Sequence, residues 1–122
     1  MKNKKIKDSF KYAFSGIISA FKTEKNMKIH MIAVICVIVF GLLLKLNLLE
    51  WIICISCFVL VIGGELFNTA IEVVVDLVSP GINEKAKKSK DIAAGGVLVF
   101  AIGSLIIGLL IFVPKIINIF VM

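Results

Sequence analysis

Three long apolar runs, residues 29–46, 48–78 and 92–113, decide what this chain can fold into. A helix rises about 1.5 Å per residue, so about 20 residues cross the roughly 30 Å of hydrocarbon in a bilayer. The runs are continuous rather than alternating, which argues against barrel strands. Lipid offers the backbone no hydrogen bonds, so helices are the remaining way to span it. A soluble fold fails on surface area. Of the 122 residues, 60% are hydrophobic and the mean hydropathy is +1.07, against about 45–50% apolar residues in soluble domains. A chain this short has too much surface for its volume to hide the excess. The expectation is one all-α membrane domain over residues 1–122, with three spans at about 28–46, 48–79 and 91–113.

The charges orient those spans. Net charge is +6, and all 14 basic residues are lysines. Eight precede Ile29: Lys2, Lys4, Lys5, Lys7, Lys11, Lys22, Lys25 and Lys28. Lys85, Lys87, Lys88 and Lys90 lie between the second and third runs. The first connection, KLNLLE, has only Lys45, offset by Glu50, and the C-terminal end has only Lys115. Lysine-rich flanks stay cytoplasmic, so the N-terminus and second connection face the cytoplasm, and the first turn and C-terminus face outward. This accounts for the basic balance through anionic headgroups. Aromatic residues are not interleaved with the lysines, so nucleic acid is not an expected partner. No cleavable leader is expected, because the first apolar run begins behind the lysine-rich segment.

The segment DSFKYAFSGIISAFKTEK differs from the spans. Phe10, Phe14, Ile17, Ile18 and Phe21 recur at helical spacing, with Asp8 or Ser9 available as a cap. Its other face is too polar to span. A helix over about 8–26 is expected, lying on the cytoplasmic surface with its apolar side in the lipid. Pro80-Gly81 should end the second span, since proline lacks the helical donor and glycine eases a turn. The three cysteines, Cys36, Cys54 and Cys57, all sit in apolar runs. One CxxC pair without nearby histidines is a weak metal or redox signal, and packing is the expected role.

Within the second run stands ELFNTAIEVVVD. On a helix turning about 100° per residue, Asn68 lies about 60° from Glu65, while Glu72 and Asp76 lie within about 20° of it. The four polar side chains form one stripe, running roughly 16 Å from membrane depth toward the cytoplasmic end. Each charge in a span costs on the order of 2.5–3.5 kcal/mol. Three aligned carboxylates therefore call for a cation, a proton or a substrate. Asn68 alone is as well explained by interhelical hydrogen bonding.

A basic element faces the stripe's cytoplasmic end. Lys90-Asp91 opens the third run beside Ala93, Ala94, Gly95 and Gly96, small residues that allow close approach to the backbone. Carboxylates beside a lysine suit a nucleotide phosphate with a divalent cation, because magnesium takes carboxylate oxygens and keeps phosphates as further ligands. Neither GxxxxGK[ST] nor GxGxxG occurs, so no P-loop or protein-kinase phosphate loop is present. Glu24, at the end of the surface segment, is placed at the level of Glu72 and Asp76 and could complete a metal site. His30, the one histidine, has no partner in sequence and reads as an interfacial anchor.

ELFNTAIEVVVDLVSP followed by AKKSKDIAAGGVLV resembles the signature of the small prokaryotic diacylglycerol kinase family, and AFKTE resembles its N-terminal element. FKYAF and EKNMKIH resemble the Gram-positive branch, whose members phosphorylate undecaprenol. The resemblance implies a homotrimer of three-span protomers, each with a surface helix and with active sites between protomers at the cytoplasmic interface. It implies ATP-dependent phosphorylation of a lipid alcohol, undecaprenol first and diacylglycerol as the alternative. By position, Glu65 matches the catalytic base, and Glu24 and Glu72 match the magnesium ligands. Asn68, Asp76, Lys90 and Asp91 match nucleotide or site-shaping positions. Two departures stand out: PGINEKAKKSKD replaces an acidic-aromatic-histidine stretch, and Gly63-Gly64 replaces bulkier residues. From other classes, a small holin-like pore or a proton-coupled transporter would share the short basic chain. Neither requires both the stripe and Lys90-Asp91.

Overall fold

The computed structural model describes residues 5–121, and its order is α1 (Ile6–Thr23), α2 (Lys25–Leu43), α3 (Leu48–Val78) and α4 (Glu84–Val121). Lys2 and Lys4 lie outside the described residues. Helices α2, α3 and α4 are each long and apolar enough to cross a membrane. The α3–α4 pair shares the most extensive contact; α2 packs on α3, and α1 touches α2 and α3. Large apolar side chains on all four helices are exposed, among them Phe14, Phe40, Phe67, Leu98 and Leu110. In water that surface would be untenable; in lipid it is the expected exterior.

Few side chains are enclosed by the chain itself: Ala20, Met27, Leu46, Cys54, Val61 and Val97, with Glu65 and Asn68 as the polar members. Ala20 and Met27 flank the break between α1 and α2. At the break Glu24 is extended (φ −101°, ψ 118°), and its N–H donates to the Ala20 carbonyl at 2.9 Å. Burying Ala20 and Met27 pins both sides of Glu24, which is half-buried. Neither Asp8 nor Ser9 caps α1. The helix starts earlier, after Lys5, and Asp8 sits in its first turn, where a negative charge meets the positive end of the helix dipole.

The turn between α2 and α3 closes in a Schellman arrangement. The Leu46 N–H donates to the Gly41 carbonyl at 3.1 Å and the Lys45 N–H to the Leu42 carbonyl at 3.4 Å, with Lys45 left-handed at φ 56°. Leu46 folds back on Gly41, and Trp51 of α3 lies across it. A Cβ at Gly41 would stand 2.7 Å from the Trp51 ring and 3.0 Å from Leu46 Cδ1. Gly41→Val is expected to cost about 1–3 kcal/mol, the usual penalty of overpacking, measured by thermal unfolding in detergent micelles. Helix α3 then starts with a capping box: Asn47 Oδ1 accepts from Glu50 N–H at 2.9 Å, and Glu50 Oε1 accepts from Asn47 N–H at 3.0 Å. Glu50 also pairs with Lys115 of α4 at 3.1 Å rather than with Lys45, tying α3 and α4 together at this end.

At the other end α3 stops at Val78, one residue short of Ser79-Pro80, because proline disfavours helical geometry in its predecessor. Gly81 does not use a left-handed conformation, so proline alone accounts for the stop. All of KAKKSKD, expected as loop up to about residue 91, forms the first turns of α4. Asn83 initiates them, its Oδ1 accepting from the N–H groups of Lys85 at 2.9 Å and Ala86 at 3.0 Å. At the far end α4 runs on through Pro114 to Val121, beyond the residue-113 limit expected from hydropathy. Gly64 admits Phe100 of α4, whose ring would lie 2.8 Å from an added Cβ.

Candidate active site

The polar stripe forms on α3 as helical spacing requires, and burial is graded along it. Glu65 is 2% exposed and Asn68 5%; Glu72 is half-buried and Asp76 exposed. The side-chain amide of Asn68 donates to Glu72 Oε1 at 3.1 Å. Asp76 forms an ion pair with Lys90 of α4. One side of α3 thus carries a polar stripe from the buried carboxylate to the helix end, where α4 supplies the positive charge. The contact exists because Asn83 starts α4 early enough to place Lys90 one to two turns inside a rigid helix.

Two oxygens on this track are buried without a hydrogen-bond partner among the described residues: Glu65 Oε2 and Asn68 Oδ1. An unsatisfied buried acceptor costs about 1–3 kcal/mol. Two adjacent ones on a face already burdened with carboxylates mark a place shaped for a ligand that brings donors or a cation. Thr69, by contrast, satisfies itself by donating to the Glu65 carbonyl at 2.9 Å.

Glu65 has one ion-pair partner among the described residues, His30 of α2, with 3.7 Å between Nε2 and Oε2. Glu72 of α3 and Glu24 at the α1–α2 break also lie near Glu65, so polar groups from α2, α3 and the α1–α2 break gather around it. His30 was expected to be an isolated anchor. Its partner lies 35 residues away on another helix, and no spacing in the sequence signals that contact. Lys90 and Asp91, adjacent in sequence, point apart. Lys90 meets Asp76, whereas Asp91 takes the exposed Lys87 at 2.7 Å. Cys36, Cys54 and Cys57 are free thiols, and Cys54 is packed in the interior.

An apolar groove of about 300 Å³ lies between α2, α3 and α4, lined by His30, Val37, Phe58, Ala101 and Phe112 among others. His30 is shared between the groove and Glu65. A second, more polar hollow of about 450 Å³ lies between the ends of α3 and α4, with Asp76, Asn83, Lys87 and Lys90 in its wall. No group of three or more histidine, cysteine or acidic side chains forms a metal cage among the described residues. Carboxylates and a carbonyl oxygen are hard-cation donors, and magnesium commonly uses only one or two carboxylates besides phosphate oxygens.

Fold and site together define a small multi-span membrane protein with an acidic cluster at the end of its helix bundle where Lys90 enters. The chain belongs to the prokaryotic diacylglycerol kinase family, which it matches over residues 11–112. It is 47% identical to the undecaprenol kinase of Bacillus subtilis, over 88% of this chain and 87% of that one. It is 40% identical to a diacylglycerol kinase of Synechocystis, over 93% of this chain and 65% of that longer protein. Against the diacylglycerol kinase of Escherichia coli K12 the identity is 28%, over 78% of each chain.

Proposed function

We propose that this protein transfers the γ-phosphoryl group of ATP to the hydroxyl of a membrane lipid alcohol, with undecaprenol as the substrate and undecaprenyl phosphate as the product. Family membership makes it a lipid kinase, and the similarity to the Bacillus enzyme favours undecaprenol. The observation that carries the reading is the buried carboxylate of Glu65 on the same helix face as Asn68, Glu72 and Asp76, the last paired with Lys90. A lipid hydroxyl sits at the membrane boundary and ATP arrives from water, so the two meet only where a polar track enters the apolar layer.

In this reading Glu65 is the general base. The hydroxyl O–H bond breaks toward its carboxylate as the lipid oxygen bonds the γ-phosphorus. The bond from that phosphorus to the bridging oxygen breaks, and its electron pair leaves with ADP. Lys90 supports the phosphate charge, with Asp76, Asn68 and Asp91 shaping the nucleotide site. Glu24 and Glu72 would hold magnesium, and the unpartnered Asn68 Oδ1 beside Glu72 fits that hard-donor set. Bound with the nucleotide, the metal would offset phosphate charge. Positioning and electrostatics supply most of the catalysis in phosphoryl transfer, which suits a site of few residues on rigid helices. The apolar groove beside His30 offers room for hydrocarbon next to the base.

The assembly belongs to the same proposal: a homotrimer in the cell membrane, N-terminus cytoplasmic and C-terminus outside, with α1 lying on the cytoplasmic surface. The exposed apolar faces leave ample area for neighbouring copies, and sites shared between protomers would bring additional groups to each stripe. Diacylglycerol is the second reading, supported by the Synechocystis and Escherichia relatives. Purified protein supplied with magnesium and radiolabelled ATP should phosphorylate undecaprenol in preference to diacylglycerol when both are offered. Labelling of neither lipid would sink the kinase reading, and nucleotide-independent leakage of liposomes would favour a pore.

A further inference from the structure

We propose that His30 is a positioning residue for the reaction, donating its Nε2–H to Glu65 Oε2 and so aiming the carboxylate at the lipid hydroxyl. This rests on the kinase reading above and assigns a role to a residue that the sequence left as an anchor.

Four observations converge on it. The Oε2 oxygen is buried and accepts no hydrogen bond within the described chain, a costly state unless a donor is at hand. His30 Nε2 stands 3.7 Å away, and both side chains are shielded, 17% and 3% exposed. That separation is longer than a hydrogen bond, but catalytic contacts in empty sites are often long and tighten when the reactants bind. Two other donors near the stripe already have partners, the Asn68 amide on Glu72 and the Lys90 ammonium on Asp76; the second N–H of Asn68 also bears on Glu65, yet Oε2 still accepts no hydrogen bond among the described residues. Finally, the His30 ring also lines the apolar groove. It therefore spans the distance between the place suited to hydrocarbon and the base that must reach its hydroxyl.

The chemistry is that of a base held by a third group. A glutamate side chain has three rotatable bonds, and the Asn68–Glu72 bond restrains its neighbours, not Glu65 itself. A donor on Oε2 fixes the carboxylate plane and leaves the other oxygen to take the proton. Neutral imidazole with hydrogen on Nε2 and imidazolium both supply that donor. Glu72 and Glu24, the other acidic groups near Glu65, are acceptors and cannot substitute, and the Asn68 amide, which can donate, leaves Oε2 without a hydrogen bond.

The test uses the full-length protein in micelles with ATP, magnesium and the lipid alcohol that the wild type phosphorylates. His30→Leu should lower kcat at least about tenfold, and by less than loss of the base itself, worth about 10²–10⁴, while KM for ATP stays unchanged. His30→Gln, whose side-chain amide nitrogen reaches the Nε2 position, should restore most of the rate. His30→Asn, polar but too short, should behave like His30→Leu, which separates reach from mere polarity and covers the case of a poorly folded leucine variant. In a Glu65→Gln background, His30→Leu should add little further loss, since the two act as one unit. The proposal is overturned if His30→Leu and His30→Asn keep the wild-type kcat, if His30→Gln is as slow as they are, or if the loss is undiminished without Glu65. A wild type inert toward both lipids overturns the kinase reading and takes this proposal with it; an active wild type with an indifferent His30 overturns this proposal alone.

Discussion

Glu65→Gln is expected to lower kcat for lipid phosphorylation by about 10²–10⁴, the usual contribution of a positioned general base. The amide occupies nearly the same volume, so packing against α2 and α4 should be retained. The energetics make the test sharper. Glu65 is 2% exposed in a span, and a carboxylate there is costly even on lenient insertion scales, on the order of 2.5–3.5 kcal/mol. Neutralising it should therefore leave the protein as stable as before or more so, while turnover is lost. Gain of stability with loss of activity is the signature of a group retained for chemistry. Parallel measurement of thermal unfolding and of radiolabel transfer separates the outcomes. If Glu65→Gln turns over at the wild-type rate, the carboxylate is not the base. If it unfolds instead, Glu65 serves as interhelical glue through His30.

Asn68→Leu carries the second large effect, and it too has opposite signs in stability and function. Asn68 is buried, its Oδ1 has no partner among the described residues, and its amide donates to Glu72 at 3.1 Å. Removing an orphaned buried acceptor recovers part of a penalty of about 1–3 kcal/mol, and leucine is at home in a span. Glu72, half-buried, keeps access to the helix end and to Lys90, so its charge is not stranded. What it loses is the group that orients it. With Glu72 as the proposed magnesium ligand, a partner of this kind standing behind it is worth about 10–100-fold in metal affinity or activity. The magnesium concentration for half-maximal rate should rise by that factor, and unfolding should shift upward or not at all. Unfolding at lower temperature with unaltered magnesium dependence would return Asn68 to the structural role that its residue type alone permits.

The stripe was legible without coordinates because it depends on one local parameter. Residues 65, 68, 72 and 76 share a face wherever α3 is helical, and α3 is helical wherever it crosses lipid. The stop before Pro80 is local in the same sense. Legibility failed where a local signal had a competitor. The lysines of 85–90 read as a loop because charge and proline dominate that stretch, but Asn83 caps it and good helix formers follow. Pro114 did not end α4, since proline forfeits only the bonds of its own turn and a neighbouring pair, Lys115–Glu50, holds the segment in place.

Burial along the stripe, by contrast, was a matter of which helices lie against it. Sequence alone determined that this chain has three helices long and apolar enough to cross a membrane, that four polar groups of one helix face the same way, and which family they belong to, because length, period and motif are properties of contiguous residues. Only the tertiary structure decided that His30 meets Glu65, that Lys90 meets Asp76, and that two buried acceptor oxygens have no partner among the described residues. The His30–Glu65 and Lys90–Asp76 contacts join residues on different helices, where separations of a few ångströms are set by packing and carry no periodicity that a single chain could display.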